Sequence, residues 1–314
     1  MHRTLSAAGA FWLAAFTYFI WGFTFLASRI AQDYGTPFVL LFWRFALAFV
    51  LLNLLRLTGR FPVRLRGRKL WPVLLAGLFE PVLYFPCEQY GLKLTSTSFS
   101  GVMVALIPLC SLVYGAVFLH EKATWRQVVF SVLSVAGVIV LAVYATGIGA
   151  GSFLGFLILL GTVFAGAGYI VACRACSGSF TAFERTYITC GMGAAAFGVL
   201  SVLEHRHDLS AVVLPMTHTP FALAIVFLSV VASVLSYLAL NRALEVLPVA
   251  RTAALINFST VVSVLAGVLI LREPFGWVSA AASAAILVGI WGVQRFAAPA
   301  LPDADKRTEP LPPS

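Results

Sequence analysis

The sequence predicts an all-α membrane protein of ten transmembrane helices in two inverted five-helix repeats. Three observations predict it: the composition, a succession of long apolar stretches, and a repeat at fixed offset. Of the 314 residues, 61% are apolar and 11% charged, and the mean hydropathy is +0.96. Soluble domains average about 45–50% apolar and 25% charged. A soluble fold of this size would have too little polar surface to cover itself, so the expected solvent is lipid.

A crossing helix needs about 20 mostly apolar residues. Ten such stretches run near 8–28, 37–57, 70–91, 96–119, 124–144, 151–172, 182–203, 221–240, 248–271 and 275–296. Residues 1–22 have a basic start at Arg3 and then an apolar run, as a signal peptide does. The apolar run continues through Trp21, Phe23 and Phe25 with no small-x-small cleavage site before Arg29, so the first stretch reads as a retained helix. The second opens at Pro37 and carries Arg44 in its middle, and the third holds Pro81 and Pro86, each of which breaks a helical hydrogen-bond ladder. A tight turn at His120-Glu121-Lys122 divides the fourth from the fifth. The sixth is smooth with Gly155, Gly161 and the run Ala165-Gly166-Ala167-Gly168, which favours close helix packing. The seventh starts beside Glu184, the eighth ends at Asn241, and the ninth starts at Pro248 and contains Asn257. The tenth follows Arg272-Glu273-Pro274. All ten are too long and too evenly apolar for barrel strands.

Lysine and arginine placement sets orientation. Of the 21, sixteen fall at one set of helix ends, Arg29, Lys93, Arg206 and Arg272 at the other, and Arg44 within a span. The bias places both termini in the cytoplasm and the chain in the plasma (inner) membrane. It also explains a net charge of +9 without nucleic acid as a partner. Membrane lipids are the expected surroundings, and the cluster from Arg60 to Lys69 is suited to anionic head groups as well as to orientation. The residues after 296 lack apolar periodicity and read as a disordered cytoplasmic tail, 297–314.

Sliding the chain by 152 residues superposes 92–137 on 244–289 without a gap. Ser111 matches Ser263, Gly115 Gly267, Glu121 Glu273, Trp125 Trp277 and Gly137 Gly289. The two units divide as 1–146 and 147–296. Five helices per unit is an odd number, so the units lie oppositely oriented, the usual plan of secondary transporters with a site near the midplane.

Several phrases then resemble a known family. They are Trp21-Gly22-Phe23, Pro37 followed by Arg44, Tyr-Gly-Leu-Lys-Leu-Thr-Ser-Thr-Ser at 90–98, and Pro108. The two glutamate turns and Asn-Arg-Ala-Leu-Glu-Val-Leu-Pro-Val-Ala at 241–250 complete the set. In order and spacing these resemble the EamA family of the drug/metabolite transporter superfamily, over roughly residues 8–296. The resemblance implies ten helices in two repeats, a central cavity between them, and export of amino acids or related metabolites.

Charged groups inside the bilayer cost several kcal/mol and usually face the bundle interior. Arg44 reads either as a guanidinium lining the cavity or as a structural partner of Glu80. Glu80 and Glu88, eight apart, fall on nearly one helix face. Glu88 is the first candidate for coupling protons or binding an amine, against a surface acid, and Glu80 is the second candidate for coupling. Tyr18, Trp21, Tyr84 and Tyr237 supply candidate aromatic walls, and Asn241 and Asn257 polar contacts with substrate or with neighbouring helices. No nucleotide-binding loop or hydrolase elbow occurs. The pair Cys173 and Cys176 has no second pair beside it for a zinc site, and the five cysteines form no disulfide framework. No cofactor is expected. The function expected is a non-enzymatic secondary transporter of a small-molecule substrate, proton-coupled or downhill. The alternatives are a lipid-modifying membrane enzyme, or transport of drugs, nucleosides or lipid-like cargo.

Overall fold

The computed structural model describes residues 5–94, 103–146, 153–262 and 276–296. Among these residues every regular element is helical. In chain order, α1 is Ala7–Gln32 and α2 Pro37–Leu57. α3 runs over 71–94, built from Trp71–Gly77, Leu78–Leu83 and Tyr84–Leu94. α4 is Ile107–Phe118, α5 Trp125–Thr146, α6 Phe153–Ala175 and α7 Ala182–Glu204. α8 is Thr219–Ala243, α9 Val249–Val262 and α10 Trp277–Arg295. Six of these, α1, α2, α6, α7, α8 and α10, are long and apolar enough to cross a membrane. The turn at Arg272-Glu273-Pro274 and the tail 297–314 lie outside the described residues.

Local chemistry sets the helix starts. α2 begins after Thr36 with Pro37 in its first turn, where the missing N–H costs nothing. α7 begins with a capping box: Glu184 N–H donates to Thr181 Oγ1 at 3.2 Å, and Thr181 N–H donates to Glu184 Oε2 at 3.0 Å. The same carboxylate accepts from Arg68 at 3.0 Å, which ties the loop between α2 and α3 to α7. Between α7 and α8, Ser210 donates to Asp208 through its hydroxyl and its backbone N–H, holding that exposed carboxyl below its usual range.

Two helices depart from the regular ladder that a hydropathy reading assumes. In α3 the residues Leu78–Leu83 form a wide turn, and Glu80 leaves helical conformation altogether (φ −143°, ψ 119°) just before Pro81. In α8 the residues Phe227–Leu235 form a second wide turn. Side chains of α1 bond carbonyls of α8: Trp21 Nε1–H donates to Ala232 O at 2.9 Å, and Thr17 Oγ1–H donates to Ser236 O at 3.0 Å. In lipid, such carbonyls need a protein partner.

Packing follows a two-fold pattern. α5 lies along α10, α2 along α7 and α4 against α9, while the contact of α3 with α6 is matched by that of α8 with α1. The closest approach shows the symmetry residue by residue. A Cβ placed on Gly137 would lie 2.9 Å from Ala282 O and 2.9 Å from Ile286 Cγ1. One placed on Gly289 would lie 2.7 Å from Phe130 O and 2.6 Å from Ser134 Cβ. Those four neighbours are related by the same offset of 152 as the two glycines. Only glycine lets the α5 and α10 backbones meet this closely. Trp71, Trp125 and Trp277 stand exposed on the outside, as interfacial rings do.

Candidate functional site

A cavity of about 360 Å³ lies between the two halves. Its deep end is built around Glu80, which the break in α3 turns inward. Tyr237 of α8 donates its O–H to Glu80 Oε1 at 2.5 Å, so a carboxylate of the first half is held by a phenol of the second. An aromatic chain surrounds this pair: Tyr169 packs edge-on to Tyr237 at 5.9 Å, Trp21 edge-on to Tyr237 at 5.4 Å, and Tyr18 edge-on to Trp21 at 5.3 Å. The hydroxyl of Tyr18 is buried and has no hydrogen-bond partner among the described residues.

Arg44 forms one flank. Its Nε–H donates to Ser233 Oγ at 2.9 Å, and its guanidinium lies over Phe85 at 4.8 Å and Phe45 at 5.3 Å. Its two terminal nitrogens make no hydrogen bond to the described residues, and no ion pair closes between Arg44 and Glu80. Arg44 lies on the cavity wall and is not closed into an ion pair with Glu80. The reason is geometric: the unwound turn swings Glu80 toward Tyr237, while Ser233 draws the guanidinium toward α8.

Toward the other end, Tyr84 O–H donates to Glu88 Oε1 at 3.1 Å, Gln89 approaches Glu88 Oε2 at 3.5 Å, and Gln32 donates to Gln89 Oε1 at 2.6 Å. Gln32 also lines a second hollow, of about 590 Å³, among the loop residues Tyr34, Thr36, His205 and His218. The cavity's mouth is therefore at the end of the bundle where α1 joins α2. Gly166 makes room in the wall, since a Cβ there would lie 2.8 Å from Ile107 Cδ1 and 3.3 Å from the Tyr84 ring.

The structure thus brings Tyr18, Trp21, Arg44, Glu80, Tyr84, Glu88 and Tyr237 to one cavity wall. It places two sequence candidates elsewhere. Asn241 sits behind the wall, donating to Thr186 Oγ1 at 3.0 Å and to the Tyr169 hydroxyl Oη at 3.4 Å. Asn257 donates to Ser134 Oγ of α5 at 3.0 Å and joins helices. Sequence reasoning passed over Gln32, Gln89 and Ser233. The glutamines lie near span ends, where polar residues are ordinary, and a lone serine in an apolar helix carries no signal of its own.

The profile of the EamA-like transporter family matches residues 8–143 and 153–295, one match per half. The chain belongs to the EamA-like transporter family. That family is part of the drug/metabolite transporter superfamily. The chain is 32% identical over 285 residues to the uncharacterized transporter YcxC of Bacillus subtilis (strain 168), covering 90% of this chain and 91% of that one. It is 26% identical over 284 residues to an uncharacterized transporter of Archaeoglobus fulgidus, covering 90% and 97%. A crystal structure at 20% identity superposes with a TM-score of 0.79 over 93% of this chain and 98% of the other, a likeness of fold. The protein is a multi-pass membrane transporter of the drug/metabolite type.

Chemically, the cavity offers one guanidinium with free donors, two carboxylates, and rings with polar tips. No group of three or more His, Cys, Asp and Glu suited to a metal occurs among the described residues. The described cysteines are free thiols.

Proposed function

We propose that the chain is a secondary transporter that exports small zwitterionic metabolites, amino acids or their close relatives, by alternating access. One observation carries this reading. The free terminal nitrogens of Arg44 and the carboxylates of Glu80 and Glu88 share a 360 Å³ cavity with apolar and aromatic walls. A guanidinium fits a ligand carboxylate bidentately, and a carboxylate takes an ammonium. The walls shelter an apolar side chain, a mix typical of small-molecule sites. The residues assigned to substrate are Tyr18, Trp21, Arg44, Tyr84, Glu88 and Tyr237, with Asn241 behind the wall and Asn257 joining α9 to α5. Glu88 and Glu80 carry the coupling proton when transport is proton-driven.

The units 1–146 and 147–296 act as the two moving halves around this site. Both termini lie in the cytoplasm of a cell whose inner (plasma) membrane holds the protein. In that orientation the mouth at Gln32 and Gln89 faces outward. Transport without catalysis fits a cavity whose polar groups bind and orient a ligand.

Counterflow in proteoliposomes across a panel of labelled amino acids and metabolites tests the proposal, with Glu88→Gln in parallel. Accelerated exchange of a zwitterion supports it. Silence toward zwitterions, with exchange of a cation or a neutral drug instead, removes it.

A further inference from the structure

Opposite the mouth, a polar knot that lies off the cavity wall ties the two halves together. Its centre is Glu121, in the turn between α4 and α5. Glu121 Oε2 accepts the backbone N–H of Val249 at 2.9 Å, and Oε1 accepts from Arg174 Nε at 3.4 Å. Val249 is the first residue of α9, where backbone N–H groups lack an intrahelical acceptor. A carboxylate of the first half thus caps a helix of the second, where it is also favoured by the helix dipole.

Arg174, at the end of α6, donates through one nitrogen to Leu244 O and Glu245 O, both at 2.9 Å. Arg185, fully buried in α7, donates to Cys173 O at 2.7 Å and to Glu245 Oε1 at 2.9 Å. The seam that Glu121 spans is tight: a Cβ on Gly115 of α4 would lie 3.4 Å from that of Val249. The knot also holds unused capacity, since Arg185 Nε and Asn241 Oδ1 are buried without partners among the described residues. A buried donor and acceptor left unpaired raise the energy of this arrangement and narrow its gap to an alternative one.

We infer that Glu121 and Arg174 are positioning residues that hold the cavity shut at this end, and that breaking the α4–α9 seam is the step that opens it. Neither residue touches the cavity. Opening exposes Glu121, Arg174 and the start of α9 to water together, so each lost bond is replaced by solvent. That is the condition for a latch that releases readily, and Glu121 and Arg174 already stand partly exposed, at 17% and 19%. The inference rests on the alternating-access reading of the protein.

The test uses two reporters in nanodiscs, where both faces are reachable. One variant retains Cys173 alone among the native cysteines. The other lacks native cysteines and carries Gln89→Cys at the mouth. Labelling rates with a water-soluble maleimide are compared with and without Glu121→Gln. A hydrogen bond to a charged group sets an equilibrium by roughly tenfold or more. Cys173, buried beneath the knot, is expected to react about tenfold faster in Glu121→Gln, while the mouth reporter slows. Arg174→Lys, which keeps the charge but loses the fork, is a second variant with the same expected direction. Unchanged Cys173 labelling in both variants overturns the inference. So does a rise at both reporters, which marks general loosening. No substrate is needed, so a silent counterflow panel and a failed latch are separate results.

Discussion

Replacing Arg44 with Gln removes a guanidinium whose terminal nitrogens face the cavity but leaves a donor near Ser233. The side chain is only 4% exposed, so water screens it little. A hydrogen bond to a charged group contributes about 1.5–3 kcal/mol, and each 1.4 kcal/mol is tenfold in affinity. Affinity for a zwitterionic substrate therefore falls about 10- to 150-fold in Arg44→Gln. Removing the carboxylate from the ligand instead, by offering the corresponding primary amine, deletes the same contact from the other side. Wild-type protein binds the amine with a loss of similar size. Arg44→Gln binds the amine as tightly as wild type does, or more tightly, because no cation then faces its ammonium. Titration calorimetry on the four combinations of protein and ligand completes the cycle. If the two losses simply add, Arg44 and the ligand carboxylate are not partners, and the zwitterion reading fails.

Three further outcomes follow from the same geometry. Tyr237→Phe leaves Glu80 Oε1 buried without its 2.5 Å donor, which lowers stability by about 1.5–3 kcal/mol; circular-dichroism melts in detergent read this as a reduced Tm. Gly289→Ala drives a methyl to 2.7 Å from Phe130 O, an overpacking cost of about 1–3 kcal/mol. Gly77→Ala meets only the flexible end of Met192, so its melt shifts less; equal shifts would contradict the close backbone packing of α5 and α10. Lys122, exposed in the turn between α4 and α5, reacts with an impermeant amine reagent from the cytoplasmic face alone; reaction from outside reverses the orientation.

Much of this architecture is legible in the sequence because lipid imposes a simple rule on composition. Helix positions follow from apolar length, and the two-fold packing at Gly137 and Gly289 follows from an offset visible in the residues themselves. Arg44, Glu80 and Glu88 stand out because charge inside a span is costly. What sequence reasoning misses depends on packing rather than position. Pro81 announces the break at Glu80, but the wide turn at Phe227–Leu235 contains no proline or glycine to announce it. Arg174 and Arg185 count in the sequence as charges that set orientation, yet Arg185 is fully buried and both arginines bond the turn between α8 and α9. Hydropathy records where a residue stands along the chain, not which seam it closes. Asn257 illustrates the converse: a polar side chain in mid-span whose amide N–H donates to Ser134 of a neighbouring helix rather than into the cavity, while its Oδ1 is buried with no partner among the described residues.

The most direct test of alternating access is a reversible lock on the shut end. Paired substitutions Gly115→Cys and Val249→Cys, in a background without other cysteines, place two Cβ atoms about 3.4 Å apart across α4 and α9. Disulfides favour a separation of about 3.8 Å. Counterflow of the substrate is measured in proteoliposomes after oxidation and again after reduction, alongside substrate binding. Alternating access predicts that the oxidised protein still binds substrate but exchanges none, and that reductant restores exchange. Undiminished counterflow with the crosslink fully formed would contradict it.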